Sequence, residues 1–306
     1  MESMELANYL EKVRYGRKIS QEKFVEGICS LRQYQRYRSG ECEIPIEKLE
    51  AFNRRLGIPS QKLLKEFEKE KKEQDNLMDQ FYNAVANQDL ESIKILKNKI
   101  QKDIIIEEEN KLYYQYSLIR HQLLSNQISR ELGARKITEL VNFPKILKND
   151  YFTDIEILIL SSLLDLIQGD IQKKLLHRLT DLFDTQDNIM SGGSDLIYST
   201  ILMRLSKAYG IIEDYKQVIH FCDLGIKHGL HNRRYYLFES YYYFKALAYH
   251  ALEDYLNYEK NLFQCYNVLH MEGKPSKIER FTKRIEKDFE INFTVFIIKY
   301  LQKEFN

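Results

Sequence analysis

The second half of the chain repeats itself, and this repeat restricts the fold more than any other feature. Four positions recur at a constant offset: Tyr209, Val218, Cys222 and Gly225 correspond to Tyr249, Tyr258, Leu262 and Cys265. A weaker copy precedes them and comprises Ile167, Leu176, Thr180 and Phe183. Apolar residues recur at helical spacing within each copy. Each copy is therefore predicted to be a pair of helices that buries its apolar face by stacking on the next pair.

Turn-forming residues are scarce along the whole chain. The 306 residues include four prolines and twelve glycines, while residues that favour helices dominate. Short breaks separate the helical patterns at 87–89, 168–170, 213–214 and 253–254. We therefore predict an all-α fold with little or no strand, and the length suggests two domains.

The N-terminal segment, 1–68, contains five short helical patterns, of which the second and third occupy Ser20–Gly40. Ser20 and Ser30 are placed as N-caps, and Gln33 is predicted to complete a capping box with Ser30. Gly40 is placed to end the third helix in the left-handed conformation.

The third helix combines cationic and amide side chains and contains no acid. Its inward residues are predicted to be Tyr34 and Tyr37. The opposite face carries Arg32, Gln33 and Arg36, flanked by Leu31 and Gln35. Arginine pairs with guanine and glutamine with adenine in the major groove, so these residue types suit base reading. A solvated helix face explains the same charges equally well.

A family resemblance favours the first interpretation. The pattern consists of Ser20-Gln21, then Glu26-Gly27-Ile28-Cys29-Ser30, then Ser39-Gly40, with Pro45 downstream. From its start to about position 65, the chain resembles the helix-turn-helix of the Xre class and, more narrowly, that of the Rgg/PlcR-like (RRNPP-type) peptide-responsive transcription regulators. The resemblance implies base contacts from Leu31, Arg32 and Arg36 and a phosphate contact from Gln21. The full set predicted to bind DNA is Gln21, Ser30, Leu31, Arg32, Gln33, Gln35, Arg36 and Arg38.

Two positions depart from this family. It usually has Ser at the position of Gln35 and Glu at that of Arg38, where the acid helps to hold the motif together. Arg38 is therefore expected to change either the stability of the motif or the way in which the motif sits on DNA.

The sequence divides into residues 1–68 for DNA binding, a charged connector at 69–76, and residues 77–306 for peptide sensing and dimerisation. The densely charged stretch 65–76, KEFEKEKKEQDN, which contains the connector, suits a flexible linker or a solvated helix, and we favour the helix. The later repeats resemble degenerate tetratricopeptide repeats, whose usual period is ~34 residues. That resemblance implies a right-handed superhelix whose concave wall holds an extended peptide.

Tyrosines are concentrated in this second part, and most of them are expected to pack between helices. If the repeat register is right, the groove-facing positions are Thr200, Met203, Lys207, Ser240 and Tyr243. Tyr116 and Arg120, on an earlier helix, are further candidates, with Arg120 placed to pair a peptide carboxylate.

Charge and motif content exclude several other functions. With 46 basic and 45 acidic side chains, attraction to nucleic acid has to come from a local patch. The four cysteines form no close pairs, and neither a metal site, a cofactor site nor a catalytic motif is evident, so we predict a non-enzyme without cofactors. No apolar run approaches a membrane span, and a cytoplasmic protein is expected.

Together these features predict a sequence-specific transcription regulator that binds double-stranded DNA at a palindromic operator as a homodimer. A short signalling peptide is expected to control it. Two alternatives stay open: a regulator of the same architecture whose repeats bind a protein partner, and an interaction scaffold that no longer binds DNA.

Overall fold

The computed structural model of the chain describes residues 2–185, 189–190 and 195–304. These residues form sixteen α-helices, one short 3-10 helix and two very short strands. The strands, β1 (Phe152–Thr153) and β2 (Ile189–Met190), pair in parallel. The predicted all-α fold with little strand is confirmed.

The chain divides into two compact units after Lys136. The helices of the first unit are α1 (Glu2–Gly16), α2 (Gln21–Val25), α3 (Leu31–Arg38), α4 (Ile46–Leu56), α5 (Ser60–Ala86), α6 (Leu90–Gln101) and α7 (Glu108–Leu124). Across the division runs α8 (Arg130–Leu140). The second unit continues with the 3-10 helix Lys145–Lys148, α9 (Asp154–Leu163), α10 (Asp170–Thr185), α11 (Asp195–Ile211), α12 (Tyr215–His231), α13 (Phe238–Ala251), α14 (Tyr255–Glu272), α15 (Pro275–Phe289) and α16 (Phe293–Glu304).

The charged connector predicted at 69–76 lies inside α5, which continues without a break to Ala86. The first compact unit therefore extends well beyond residue 68 and includes the α5–α6 hairpin and α7. The assignment of DNA binding to 1–68 and of sensing to 77–306 stays a prediction, as does the right-handed superhelix.

Aromatic packing forms the core of the first five helices. The rings of Phe24 and Phe52 stack with centroids 4.8 Å apart, and Tyr34 lies 5.6 Å from each. Tyr34 and Tyr37 are both fully buried, as the helical pattern predicted. This packing fixes which side of α3 faces outward.

The loop between α6 and α7 contributes to the same core. Ile106, in this loop, is completely buried among the side chains of the first five helices. Gln74 of α5 holds the loop at two points, because its amide donates to the Ile104 carbonyl at 2.8 Å and accepts from the Ile106 amide at 2.9 Å. The first helices and the first helical hairpin thus share one core.

The repeat seen in the sequence corresponds to two successive helical hairpins. α11 and α13 end at Ile211 and Ala251, and α12 and α14 begin at Tyr215 and Tyr255, so both boundaries keep the offset of the sequence repeat. The connections match as well. Asp214 and Asp254 are N-caps that accept from the backbone amides of Gln217 and Asn257, at 3.2 and 3.1 Å. The residue before each cap adopts a positive φ, 62° at Glu213 and 60° at Glu253.

Gly225 of α12 allows a close approach between the hairpins. A Cβ at this position would lie 2.2 Å from the ring of Tyr241 in α13. Tyr241 is fully buried, and its hydroxyl donates to the Ser199 carbonyl at 2.6 Å, so moving the ring would break this hydrogen bond. The absence of a side chain at Gly225 therefore determines how closely α12 and α13 pack.

Candidate nucleic-acid interface and sensor surface

Two serines define the starts of α2 and α3, as predicted. The Ser20 hydroxyl accepts from the Lys23 amide at 3.2 Å, and the Ser30 hydroxyl accepts from the Gln33 amide at 3.1 Å. The side chain of Gln33 donates to the Cys42 thiol at 3.0 Å rather than completing the expected capping box with Ser30. Each serine satisfies a helix amide that would otherwise lack a partner.

Gly40 ends α3 with φ +77°, in the left-handed region that favours glycine. The amide of Glu41 donates to the Arg36 carbonyl at 3.0 Å, and the amide of Gly40 donates to the Tyr37 carbonyl at 3.3 Å. These two bonds form a Schellman motif, which closes the carboxyl end of the helix. The predicted end of the helix is confirmed.

The outward face of α3 is formed by Leu31, Arg32, Gln35 and Arg36, all of them exposed. Ser30, immediately before the helix, is exposed as well. We call these four helix residues the reading face. Since the opposite side of α3 is anchored by buried tyrosines, the reading face is a rigid projection of two cations and an amide.

The buried carboxylate of Glu11 on α1 joins three helices behind this face. It accepts from Arg14 at 2.7 Å on each oxygen, from the Gln21 amide at 2.5 Å and from the Tyr34 hydroxyl at 3.1 Å. The Arg38 guanidinium lies 3.5 Å away. Burial alone would raise the pKa of Glu11, but the hydrogen bonds from Arg14 and Gln21 and the charges of Arg38 and Arg14 hold this pKa below its ordinary value.

The Glu11–Arg38 pair accounts for the departure from the family at Arg38. The position that usually carries an acid here carries a cation, and a buried acid on α1 faces it. In this chain the position is thus held by an ion pair of Arg38 with Glu11. Arg38 is half-buried and internally paired, which separates it from the exposed members of the predicted DNA-binding set.

Gln21 and Gln35 extend the network from Glu11 towards the surface. A carboxylate only accepts hydrogen bonds, so the amide nitrogen of Gln21 is directed at Glu11. Its carbonyl oxygen accepts from the Gln35 amide at 3.0 Å. Gln21, predicted to contact phosphate, is thus linked to the reading face through Gln35.

Arg55 and Glu41 are residues of this region that the sequence analysis missed. Arg55 of α4 donates to the carbonyls of Lys23, Phe24 and Glu26, at 2.9, 2.9 and 2.6 Å, and so closes the end of α2. Glu41 pairs with Arg36. No local pattern marks the role of Arg55, because its partners lie on and just after α2, far earlier in the chain.

The predicted sensor residues fall into two groups. Tyr116, Thr200 and Tyr243 are almost completely buried, with exposed fractions of 1, 4 and 3%. The Tyr243 hydroxyl donates to Asp288 of α15, so this side chain packs against the helix that follows its hairpin. Burial, together with the hydrogen bond to Asp288 and its charge, raises the pKa of Tyr243.

The remaining sensor candidates are more accessible. Met203 and Ser240 are half-buried, and Lys207 is exposed, with its Nζ 2.6 Å from Asp165 Oδ1. Arg120, in the first unit, lies over the ring of Tyr82 at 5.4 Å and donates to the Tyr116 hydroxyl at 3.5 Å. The structure therefore associates Arg120 with Tyr116, as their spacing on one helix suggested.

A small cleft in the second unit, which contains a cluster of charged and polar side chains, was not foreseen. Asp195 lines this cleft, 3.3 Å from His228 and 3.4 Å from Arg234, and it accepts from Asn232 at 3.1 Å. Burial lowers the pKa of His228, although the nearby Asp195 opposes this shift. These groups neutralise one another, and the cleft ties the loop after α12 to the start of α11.

Within the ranges that the structure covers, no helix is long and apolar enough to cross a bilayer. Among the same residues, no three His, Cys, Asp or Glu side chains converge in the way a metal ion requires.

The structure thus defines a class of protein: an all-α chain in which a short capped helix, α3, with an exposed cationic face precedes a series of helical hairpins. No family model matches the chain, and no curated protein matches it. Several solved structures do match the chain.

A putative transcriptional regulator from Listeria monocytogenes EGD-e has a TM-score of 0.51 and 12% identity, over 94% of this chain and 97% of that one. The apo form of the competence regulator ComR from Streptococcus vestibularis also has a TM-score of 0.51, with 17% identity. The match covers 94% of this chain and 98% of ComR. PlcR from Bacillus thuringiensis, in complex with the peptide PapR7 and DNA, has a TM-score of 0.47 and 15% identity, over 90% and 98%. At these identities the first two comparisons establish a shared fold. The resemblance inferred from the N-terminal segment is confirmed as a likeness of fold over most of the chain.

Proposed function

We propose that the chain is a sequence-specific DNA-binding transcription regulator. The observation that carries this proposal is the reading face, where Arg32, Gln35 and Arg36 project from a helix that is capped at both ends and anchored from behind. A rigid helix with exposed Arg and Gln suits the major groove, because these side chains match the acceptor and donor pattern of guanine and adenine. The fold shared with ComR, a competence regulator, supports the same conclusion.

The regulator would act in the cytoplasm as a homodimer on a palindromic site. A two-fold pair of reading helices engages two half-sites when their centres are one DNA turn, or a multiple of it, apart. A short signalling peptide held by the helical hairpins would shift the affinity for DNA by binding one dimer geometry better than another. Lys207, Met203 and Ser240 are the accessible candidates for contact with this peptide.

DNA binding is tested by a gel shift on the DNA upstream of the gene for this chain. The full chain is expected to shift it, with an affinity that falls steeply as salt rises, because Lys and Arg contacts release counterions. Changing Arg32→Ala together with Arg36→Ala should abolish the shift. Failure of the unchanged chain to shift any DNA from its locus would instead favour an interaction scaffold.

Peptide control is tested separately by titration calorimetry with synthetic peptides encoded beside the gene. Lys207→Ala should weaken binding, whereas Lys283→Ala, at an exposed lysine on α15, serves as the matched control. Tyr243→Ala is a poorer test, since it would also leave a cavity against α15. Specific DNA binding without affinity for any of these peptides would favour a regulator whose hairpins bind a protein.

A further inference from the structure

Arg36 on the reading face is held by Glu41, a residue just beyond the end of α3. The Arg36 Nε donates to Glu41 Oε2 at 3.1 Å. The other carboxylate oxygen of Glu41 accepts from the Ser39 hydroxyl at 3.0 Å. Both side chains of the ion pair are well exposed, with fractions of 47 and 61%.

The backbone fixes Glu41 relative to Arg36 as well. In the Schellman motif that ends α3, the amide of Glu41 donates to the carbonyl of Arg36, and the Ser39 hydroxyl, whose one hydrogen is shared with Glu41, lies 3.2 Å from this same carbonyl. The carboxylate is therefore carried by a turn that is itself bonded to Arg36. Gly40 makes this turn possible through its positive φ.

The position of the carboxylate decides which edge of the guanidinium is available. With Nε engaged by Glu41, the two terminal nitrogens of Arg36 are left for an outside partner. Two terminal N–H groups match the O6 and N7 acceptors of guanine in a bidentate contact. A carboxylate beside the arginine also repels phosphate, which disfavours poses in which Arg36 contacts the DNA backbone.

We propose that Glu41 is a specificity-determining residue that positions Arg36 to read a guanine. The inference rests on the proposed DNA-binding function and deepens it by assigning the base contact and its support. An acceptor at position 41 holds Nε, so that Arg36 approaches a base through its two terminal nitrogens. The negative charge of Glu41 also lowers attraction to DNA of any sequence. Glu41 is thus expected to lower the affinity for DNA of any sequence and to raise the discrimination between base pairs.

The test is selection from a randomised double-stranded DNA library with the full chain and three variants. Arg36→Ala identifies the base-pair position that Arg36 reads, as the one whose preference disappears. Glu41→Ala should lose preference at this same position, with discrimination falling at least about fivefold. Glu41→Gln keeps an acceptor for Nε but removes the charge, so it should retain the preference while the salt dependence of binding becomes steeper. Because exposed ion pairs add little to folding, all three variants should melt like the unchanged chain.

The outcomes separate the inference from the function on which it rests. If Glu41→Ala keeps the full preference, or if Glu41→Gln loses it as completely as Glu41→Ala does, Glu41 does not position Arg36 as an acceptor. If Arg36→Ala changes no preference while the unchanged chain selects a sequence, DNA reading stands and this inference is overturned. If the unchanged chain selects no common sequence, the proposed function fails and the inference fails with it.

Discussion

Glu11 connects α1, α2 and α3 through one buried carboxylate, and its protonation state therefore matters for how these three helices pack. Donor groups on Arg14, Gln21, Tyr34 and Arg38 surround it. A buried charge of this kind is tolerated only when it is paired and hydrogen-bonded on every side. Removing the charge leaves the two arginines without their counterion.

We predict that Glu11→Gln lowers the free energy of unfolding at pH 7 by about 3 kcal/mol. The pKa of Glu11 is lower in the folded chain than the ordinary 4.5, so the stabilisation is fully present above that value and is lost as the pH falls through the folded pKa. Urea unfolding at neutral pH and again in acid, well below the ordinary pKa, should therefore show the difference between variant and unchanged chain shrinking. Glu50→Gln, at an exposed acid on α4, is the control. A difference that does not depend on pH would contradict this account of Glu11.

Two glycines of the second unit allow a matched comparison of packing. A Cβ at Gly225 would collide with the buried ring of Tyr241, whereas a Cβ at Gly210 of α11 would lie 3.8 Å from Val218, an ordinary contact. Gly225→Ala should cost about 1 to 3 kcal/mol through overpacking. Gly210→Ala should instead stabilise by up to about 1 kcal/mol, because alanine is the better helix former. Denaturant midpoints measure both changes, and equal effects of the two substitutions would show that Tyr241 is free to move.

At the scale of elements, two lysines bind α1 to α5 and to the loop before α7. Lys71 of α5 lies 3.0 Å from Glu5 and 2.9 Å from Glu107. Lys12 of α1 makes the reciprocal contact with Glu70 of α5, at 2.6 Å, and also pairs with Asp103. Burial alone would lower the pKa of Lys71, but its hydrogen bonds to Glu107 and Glu5 and their charges raise it, so the lysine stays charged at neutral pH.

Lys71→Met is expected to destabilise the first unit by roughly 1 to 2 kcal/mol, since it leaves the buried carboxylate of Glu5 and the half-buried carboxylate of Glu107 without their cation. The same change at Lys69, an exposed residue of the same helix paired with Glu73, should cost less than about 0.5 kcal/mol. Thermal unfolding followed by circular dichroism, with hydrogen exchange in α1 as the local probe, would measure both. If the two variants lose the same stability, the ion pairs of Lys71 contribute no more to folding than an exposed surface pair.

Local patterns predicted most of the helices and several of their ends. The caps at Ser20 and Ser30, the turn at Gly40 and the hairpin repeat all follow from local sequence patterns. The long-range contacts could not be predicted from these local patterns. Glu11 meets Tyr34 and Arg38, and Ile106 joins a core built from helices far earlier in the chain, through packing that no single periodicity encodes. The register of the repeat likewise could not reveal that Tyr243 faces α15.

At the scale of the whole molecule, the reading face belongs to a unit larger than the sequence division suggested. Residues 1–68 share their core with Ile106 and are held to α5 by Lys12 and Lys71. If residues 1–68 rotated independently about residues 69–76, the continuous helix α5 would have to break. Regulation of the proposed kind would therefore move the reading face together with α5–α7.

The chain is nearly neutral overall, so the account requires DNA affinity to depend on where charge lies rather than on how much there is. The most direct measurement is fluorescence anisotropy, over a series of salt concentrations, with a duplex selected by the full chain and a scrambled duplex of the same composition. The variant Arg32→Ala plus Arg36→Ala should lose at least about tenfold in affinity for the selected duplex, with a shallower salt slope. The variant Arg280→Ala plus Lys287→Ala removes the same charge from exposed positions on α15 and should bind like the unchanged chain. Equal losses in the two variants, or equal binding of both duplexes by the unchanged chain, would contradict the claim that α3 reads DNA.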